Sequence, residues 1–262
     1  MPREWNSEAY NRLSDPQLGF GRKVVERLAR RPLRGDELVL DAGCGTGRVT
    51  AEVLRLFPRG RLIAADLSGN MIRSAHGKLA SSSGDRLRFV CADLTQLPFR
   101  PAFDVVFSTA TFHWITNHER LFRGIHAVLK PGGLLLAQCG GAGNLKSVRD
   151  RARRLQADPR FAQYFSGWSE PWLYADAGST AERLQDAGFV EIKAWLEDAT
   201  VSLENRYEYA EFLETVTLHA QLERIAEPAL RKAFIEELVT QAEQAGNMLL
   251  DYVRLNIEAT KR

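Results

Sequence analysis

The chain is 262 residues long, with 45% hydrophobic and 26% charged residues, enough apolar content for one α/β domain with an insertion and too little length for a second independent core. Its 35 basic residues against 33 acidic ones leave a net charge of +2, too balanced for a protein that coats nucleic acid. No apolar run reaches the ~18 residues of a membrane-spanning helix, and Met1-Pro2-Arg3-Glu4-Trp5 opens no signal-peptide core, so neither a membrane nor a nucleic-acid partner is expected and a cytoplasmic location is.

Residues 18 to 31, with Leu18, Val24, Val25 and Leu28 on one face, predict an amphipathic helix. A first strand around Val39-Leu40-Asp41 runs into Gly43, Gly45 and Gly47, and Val49, Val53, Leu54 and Phe57 space the helix that follows. Arg61 to Asp66 predicts a second strand, with Met71, Ile72, Ala75 and Leu79 on its helix. Leu87 to Asp93 predicts a third strand and Phe103 to Ser108 a fourth, and Lys130-Pro131-Gly132-Gly133 turns into a fifth. Alternating strands and helices mean a parallel sheet with right-handed crossovers. Beyond Gly140 the pattern changes. Residues 145 to 177 predict helix and aromatic loop, a sheet-packing helix ends at Gly188, Phe189 to Trp195 predicts a strand, 204 to 246 two helices, and 249 to 259 a last strand.

Three glycines at alternate positions after a strand permit a tight turn whose backbone approaches a ligand closely. A dinucleotide loop needs a third glycine at position 48, where this chain has Arg48, which disfavours a nicotinamide dehydrogenase. Asp66 closes the second strand about twenty positions after Gly45, the spacing at which a carboxylate meets a ribose diol. With Asp41 and Asp93, three strands each end on a carboxylate along one sheet edge.

On these residues, and on Phe103 to Ser108 and Leu129 to Leu136 in the same order, the chain resembles the class I S-adenosylmethionine-dependent methyltransferases over roughly residues 35 to 140. The resemblance implies a Rossmann-like α/β fold: a mostly parallel seven-stranded sheet with helices on both faces, an antiparallel last strand and a helical cap. It implies one domain over 1–262, with a cofactor core at 35–140 and cap insertions at 143–177 and 203–247. S-adenosylmethionine would be held by Asp41 with Gly43, Gly45 and Gly47, by Asp66 at the ribose and Asp93 at the adenine amine, and by Leu67, Met71, Leu94 and Ser108 beside them. Relatives use an N-terminal segment as a lid over the methionine end, which points to Tyr10, with Trp5 near it. Ala110-Thr111-Phe112-His113-Trp114-Ile115 and Asp251 to Ile257 resemble the trans-aconitate methyltransferases, which methylate a small-molecule carboxylate.

His113 is then the expected catalytic residue, a hydrogen-bond donor to a carboxylate acceptor or the base for a hydroxyl or ammonium one. Trp114, Trp172 and Tyr174 are expected against the acceptor, and Phe161, Tyr164, Phe165 and Trp168 in the core of the cap. The run Lys146, Arg149, Arg151, Arg153, Arg154 and Arg160, offset by Asp150 and Asp158, is either a solvated helix face or an attractor for an anionic substrate. Cys44, Cys91 and Cys139 suggest free thiols, with neither a metal cluster nor a disulfide framework. The expected activity is O-methylation of a small carboxylate. The alternatives are methylation of a hydroxyl or amine of a natural product, and a non-catalytic cofactor-binding protein.

Overall fold

The structure, a computed structural model, describes residues 15–203 and 205–262. Trp5 and Tyr10, expected over the cofactor, therefore lie outside the described residues.

After α1 (Asp15–Ala29) come β1 (Leu38–Ala42), α2 (Thr50–Arg55), β2 (Arg61–Asp66), α3 (Gly69–Ser83), β3 (Leu87–Cys91), β4 (Phe103–Thr109), α4 (His118–Val128) and β5 (Leu129–Gly140). α5 (Lys146–Gln156), α6 (Ala162–Phe165), α7 (Ala177–Asp186) and β6 (Phe189–Asp198) follow. The chain ends with β7 (Val201–Ser202), α8 (Arg206–Phe212), a π-helical turn at Leu213–Thr217, α9 (His219–Leu222), α10 (Pro228–Gln244), β8 (Leu249–Leu250) and β9 (Val253–Lys261). The seven-stranded sheet has the order β3-β2-β1-β4-β5-β9-β6. Its first five strands pair in parallel, and β9 runs antiparallel between β5 and β6.

Alternate side chains of each central strand point to opposite faces, and both faces are apolar. Leu40, Val106 and Leu135 pack with Leu121, Phe122 and Ile125 of α4 and Leu184 of α7. Val39, Val105 and Leu136 pack with Val24 and Leu28 of α1 and Val53 of α2. Burial on both sides explains why these strands read as continuous apolar runs. A third apolar cluster holds the segments after β5 together: Val148 and Leu155 of α5, Phe161, Phe212 of α8, and Phe234 and Leu238 of α10, with Phe20 of α1 and Tyr252. Phe161, Tyr164 and Phe165 belong to this core, as expected.

Several boundaries differ from expectation: the stretch 204 to 246, expected as two helices, holds α8, α9 and α10 with the π-helical turn between the first two. β3 stops at Cys91, so Asp93 lies in the loop beyond it, where its Oδ1 accepts the backbone N–H of Thr95 at 2.8 Å and turns the chain. Lys130 to Gly133 lies inside β5 as a bulge, because Phe103 pairs with Leu129 but Val105 with Leu134. The last strand is split. β8 leaves the main sheet to pair with β7 (Leu250 with Val201), and only β9 joins β5.

Candidate active site

The strand order reverses between β1 and β4, and a parallel sheet opens a crevice at such a point beyond the carboxyl ends of its strands. A cavity of about 370 Å³ occupies it. Asp41 near the end of β1 with Gly43 and Gly45 beyond it, Asp66 at the end of β2 with Leu67 after it, Asp93 and Leu94 beyond β3, and Thr109 at the end of β4 with Ala110 and Thr111 after it all line it. Met71, in the first turn of α3, lines it too; that turn is capped by Ser68, whose Oγ accepts the Met71 N–H at 3.3 Å.

The glycine loop is shaped by its neighbours. Gly43 has φ +85°, and a Cβ there would fall 2.1 Å from Thr111 Oγ1. The Gly43 and Cys44 amides bond the Ala65 carbonyl at 2.8 and 2.9 Å, tying the loop to β2. At Gly45 (φ +54°) a Cβ would meet nothing within 4 Å among the described residues, the open side from which a ligand can approach.

Asp66 is aimed by two backbone amides: Oδ2 accepts from Gly45 and Oδ1 from Ser68, both at 2.9 Å. Two carboxylate oxygens at a strand end are the acceptors that a ribose diol calls for. Asp41 is buried, accepting the Thr50 hydroxyl at 2.6 Å. Burial pushes its carboxyl up to about 7; the Thr50 bond lowers it, and the Asp66 charge adds to the rise. Leu67, although apolar, is 46% exposed on the cavity rim, as a surface for an aromatic base would be. Three carboxylates, an apolar rim and an open glycine suit a ligand that joins a base and a ribose to a cationic amino acid.

A second, smaller cavity of about 50 Å³ shares Gln17, Ala110 and Trp114 with the first. His113, Asn144, Tyr174, Thr217, Tyr252 and Arg254 line its other sides. The His113 ring stacks on Tyr174 at 5.6 Å between centroids, and Gly140 makes room for that ring, since a Cβ there would lie 2.5 Å from Tyr174 Cε1. The Gly140 N–H donates to His113 Nδ1 at 3.3 Å, which assigns the ring proton to Nε2. Burial, then the nearby charges of Arg254 and His118, holds the His113 pKa well below the ordinary histidine value, so the ring is neutral. Ala110, shared by both cavities, has φ +55°, an uncommon conformation for a residue with a Cβ.

Several expected residues sit elsewhere. Gly47 lines neither cavity; at φ +80° it packs where a Cβ would come 2.7 Å from Leu79 Cδ1. The buried Ser108 hydroxyl donates to the Ala42 carbonyl at 2.6 Å, bracing β4 against β1 rather than lining the crevice. Trp172 packs edge-on behind Trp114 at 5.8 Å, its indole N–H on Glu170, and Pro171 takes the lining position. The basic run is largely compensated. Arg149 and Arg153 bond Glu170 at 2.5 and 2.8 Å, Lys146 bonds Asp150 at 2.5 Å and Arg160 bonds Asp158 at 2.9 Å, while Arg151 is buried. Cys44 and Cys139 are buried and Cys91 is exposed, all three free. Among the described residues no cluster of potential metal ligands occurs, and no helix is long and apolar enough to cross a membrane. Sequence reasoning missed Gln17, Asn144 and above all Arg254. The last stands within the Asp251 to Ile257 stretch already singled out, as the one cation there.

Residues 39–133 match a family described as a methyltransferase domain. The chain is 32% identical over 127 residues to malonyl-[acyl-carrier protein] O-methyltransferase 2 of Ilyobacter polytropus, covering 48% of each protein. It is 27% identical to trans-aconitate 2-methyltransferase of Methylobacterium nodulans, covering 98% of each. The chain spans about half the length of the first curated relatives it matches. Phosphoethanolamine N-methyltransferase 2 of Haemonchus contortus, solved with phosphomonomethylethanolamine and S-adenosylhomocysteine, shares the fold with a TM-score of 0.60 at 19% identity, over 93% of this chain and 52% of that one. A sheet that reverses at β1, with a glycine loop and acidic strand ends at its crevice, defines a Rossmann-like methyltransferase fold. The chain belongs to the class I S-adenosylmethionine-dependent methyltransferases and is similar to the trans-aconitate enzymes among them. The family's cofactor is S-adenosylmethionine, and the donor set of the larger cavity fits it.

Proposed function

We propose that this protein transfers a methyl group from S-adenosylmethionine to a carboxylate oxygen of a small anionic molecule. When bound, the cofactor supplies the methyl group on a sulfonium; the residues of the chain bind, orient and shield. Asp66 would accept the ribose hydroxyls, Asp93 the adenine amine, and Asp41 would face the cationic end. The acceptor would enter past Trp114, between the two cavities, beneath cap segments 143–177 and 203–247.

The observation that carries the acceptor class is the lining of the smaller cavity. Among the described residues its titratable members are His113, Tyr174, Tyr252 and Arg254, without a carboxylate. A neutral imidazole protonated on Nε2 donates a hydrogen bond well and removes a proton poorly. A carboxylate needs no base, being ionised at neutral pH, so the reaction rests on in-line positioning, worth effective molarities of about 10⁵ M or more. The three free cysteines are in keeping with a reducing, cytoplasmic setting.

The test is release of S-adenosylhomocysteine from a panel of small mono-, di- and tricarboxylates set against amines and phenols. Turnover is expected with carboxylates. Turnover confined to amines or phenols would overturn the acceptor class, and cofactor binding without turnover on any acceptor would favour a non-catalytic protein.

A further inference from the structure

We infer that Glu170 is a positioning residue: it latches the strap 166–176, between α6 and α7, onto α5, and so fixes the wall past which the methyl acceptor reaches the cofactor and limits the bulk of that acceptor. This role requires only that a methyl group pass to a small molecule; it rests on the carboxylate reading solely in the acids chosen to test it. It also gives the basic run of α5 a task that is neither a solvated face nor an attractor for anions.

Both oxygens of the Glu170 carboxylate are engaged. Oε2 accepts an Arg149 Nη2–H at 2.5 Å and the indole N–H of Trp172 at 3.1 Å, while Oε1 accepts the Nε–H and Nη2–H fork of Arg153 at 3.1 and 2.8 Å. The side chains of Arg149 and Glu170 are only 15% and 20% exposed, so salt screens this pair little, and either charge left alone there would be costly. Arg149 reaches further, its guanidinium lying over the Tyr174 ring at 4.9 Å. The downstream half of the strap is tied by backbone: the Leu173 N–H donates to the His113 carbonyl at 2.8 Å, and the Ala142 N–H to the Ala175 carbonyl at 2.9 Å.

What the latch holds is a wall of the site. Pro171, next to Glu170, lines the larger cavity and Tyr174 the smaller one. The buried Trp172 meets Trp114 edge-on at 5.8 Å, and Trp114, at the end of the 3₁₀ turn Phe112–Trp114, lines both cavities. An indole braced from behind and a proline whose ring fixes its backbone make a stiff wall. A misplacement of about 1 Å at such a wall costs alignment of the reacting atoms and at the same time leaves room for bulk. Releasing Glu170 should therefore slow small acceptors and relieve the exclusion of large ones.

The experiment measures kcat and KM separately for two pairs of acceptors that differ in a methyl against a phenyl group, crotonate with cinnamate and ethylamine with benzylamine, in wild type, Glu170→Ala and Glu170→Gln. Titration of the same compounds into the complex with S-adenosylhomocysteine reads the selection where no methyl is transferred. Wild type is expected to favour the small member of a pair. Glu170→Ala is expected to move the ratio toward the bulky member roughly 10- to 100-fold, the range over which a pocket wall discriminates size, with the loss on the small member falling in kcat. Glu170→Gln keeps an acceptor for the Trp172 N–H and should recover part of the ratio. A variant that is merely less stable loses the same factor on both members, so a ratio unmoved in Glu170→Ala overturns the latch. Exchange of the Leu173 amide in the S-adenosylhomocysteine complex should quicken in Glu170→Ala, and exchange at the wild-type rate overturns the latch whatever the acceptor. Retained S-adenosylhomocysteine binding certifies that the variant folds; if it does not fold, Trp172→Phe, which removes the indole N–H and keeps a ring, carries the same comparison. If Arg149→Gln lowers kcat/KM for both acids alike, by a factor that shrinks with added salt, the basic run draws in anions and the latch is overturned. A ratio that moves on the amines alone leaves the latch standing and removes the carboxylate reading, whereas acids methylated with an unmoved ratio do the reverse.

Discussion

At the scale of single residues, the site works by fixing acids and donors before a ligand arrives. Asp66 is aimed by the Gly45 and Ser68 amides, so Asp66→Ala removes the proposed ribose acceptor together with a brace for the loop. S-adenosylhomocysteine binding, measured by calorimetry, should weaken about 10- to 100-fold, the equivalent of roughly 1.5 to 3 kcal/mol. Asp41 supplies a pH signature. Its carboxyl is raised to about 7 by burial, and a cation bound beside it would favour ionisation. Binding of the cationic cofactor should therefore release a proton below pH 7, with affinity rising toward that pH and levelling above it, a slope that Asp41→Asn removes. His113 should show no comparable titration in turnover, since it is neutral and already accepts the Gly140 N–H. In His113→Gln, kcat/KM on the best carboxylate should drop by about 0.5 to 3 kcal/mol with no loss of a basic limb near pH 6 to 7; a limb that vanishes with a loss beyond about 10²-fold would make it a base.

At the scale of elements, the β1–α2 loop and the segment after β4 are built as one piece. Gly43 cannot carry a side chain, because φ is +85° and a Cβ would strike Thr111, whose hydroxyl lies 3.1 Å from the Gly43 carbonyl. Gly45 has the same handedness but open space. Gly45→Ala should cost only the left-handed backbone penalty of about 1 to 2 kcal/mol, whereas Gly43→Ala should cost more than that and also abolish cofactor binding, as denaturant melts and calorimetry would record. Equal effects at the two positions would show that Thr111 yields freely. The strand ends and this loop were legible in sequence because apolar runs, glycines and terminal acids are local signals. The end of β3 was not, since Ala92 continues the apolar run and it is the Asp93–Thr95 turn beyond it that ends the strand. Nor was the split of the last strand, which depends on β7 offering β8 a partner.

At the scale of the molecule, burial of neutral histidines should govern acid stability. His113 and His118 have pKa values lowered below the usual 6.5, chiefly by burial. The unfolded chain therefore takes up more protons than the native one as pH falls through 6.5, and stability falls with pH. Asp41 opposes this, its native pKa lying above its unfolded one, so that its protonation favours the fold between about 7 and 3.8. His126 is lowered in the same way, so these histidines outnumber the one opposing carboxyl and stability falls as the pH drops below 6.5. Denaturant melts between pH 7 and 5 would measure it, and His118→Gln should flatten the slope. The sequence by itself determined the alternating strands and helices, the glycine loop and the acids at the crevice, because each depends on residues near one another in the chain. Whether a polar residue lines a cavity, braces a strand or is neutralised by a neighbour was decided only by the tertiary structure. Ser108 turns to the Ala42 carbonyl, Glu170 answers Arg149 and Arg153 from across a loop, and Arg254 reaches His113's cavity only because β9 inserts antiparallel between β5 and β6. These relations join residues far apart in sequence, where no local periodicity carries information about distance, burial or the charge a side chain will meet.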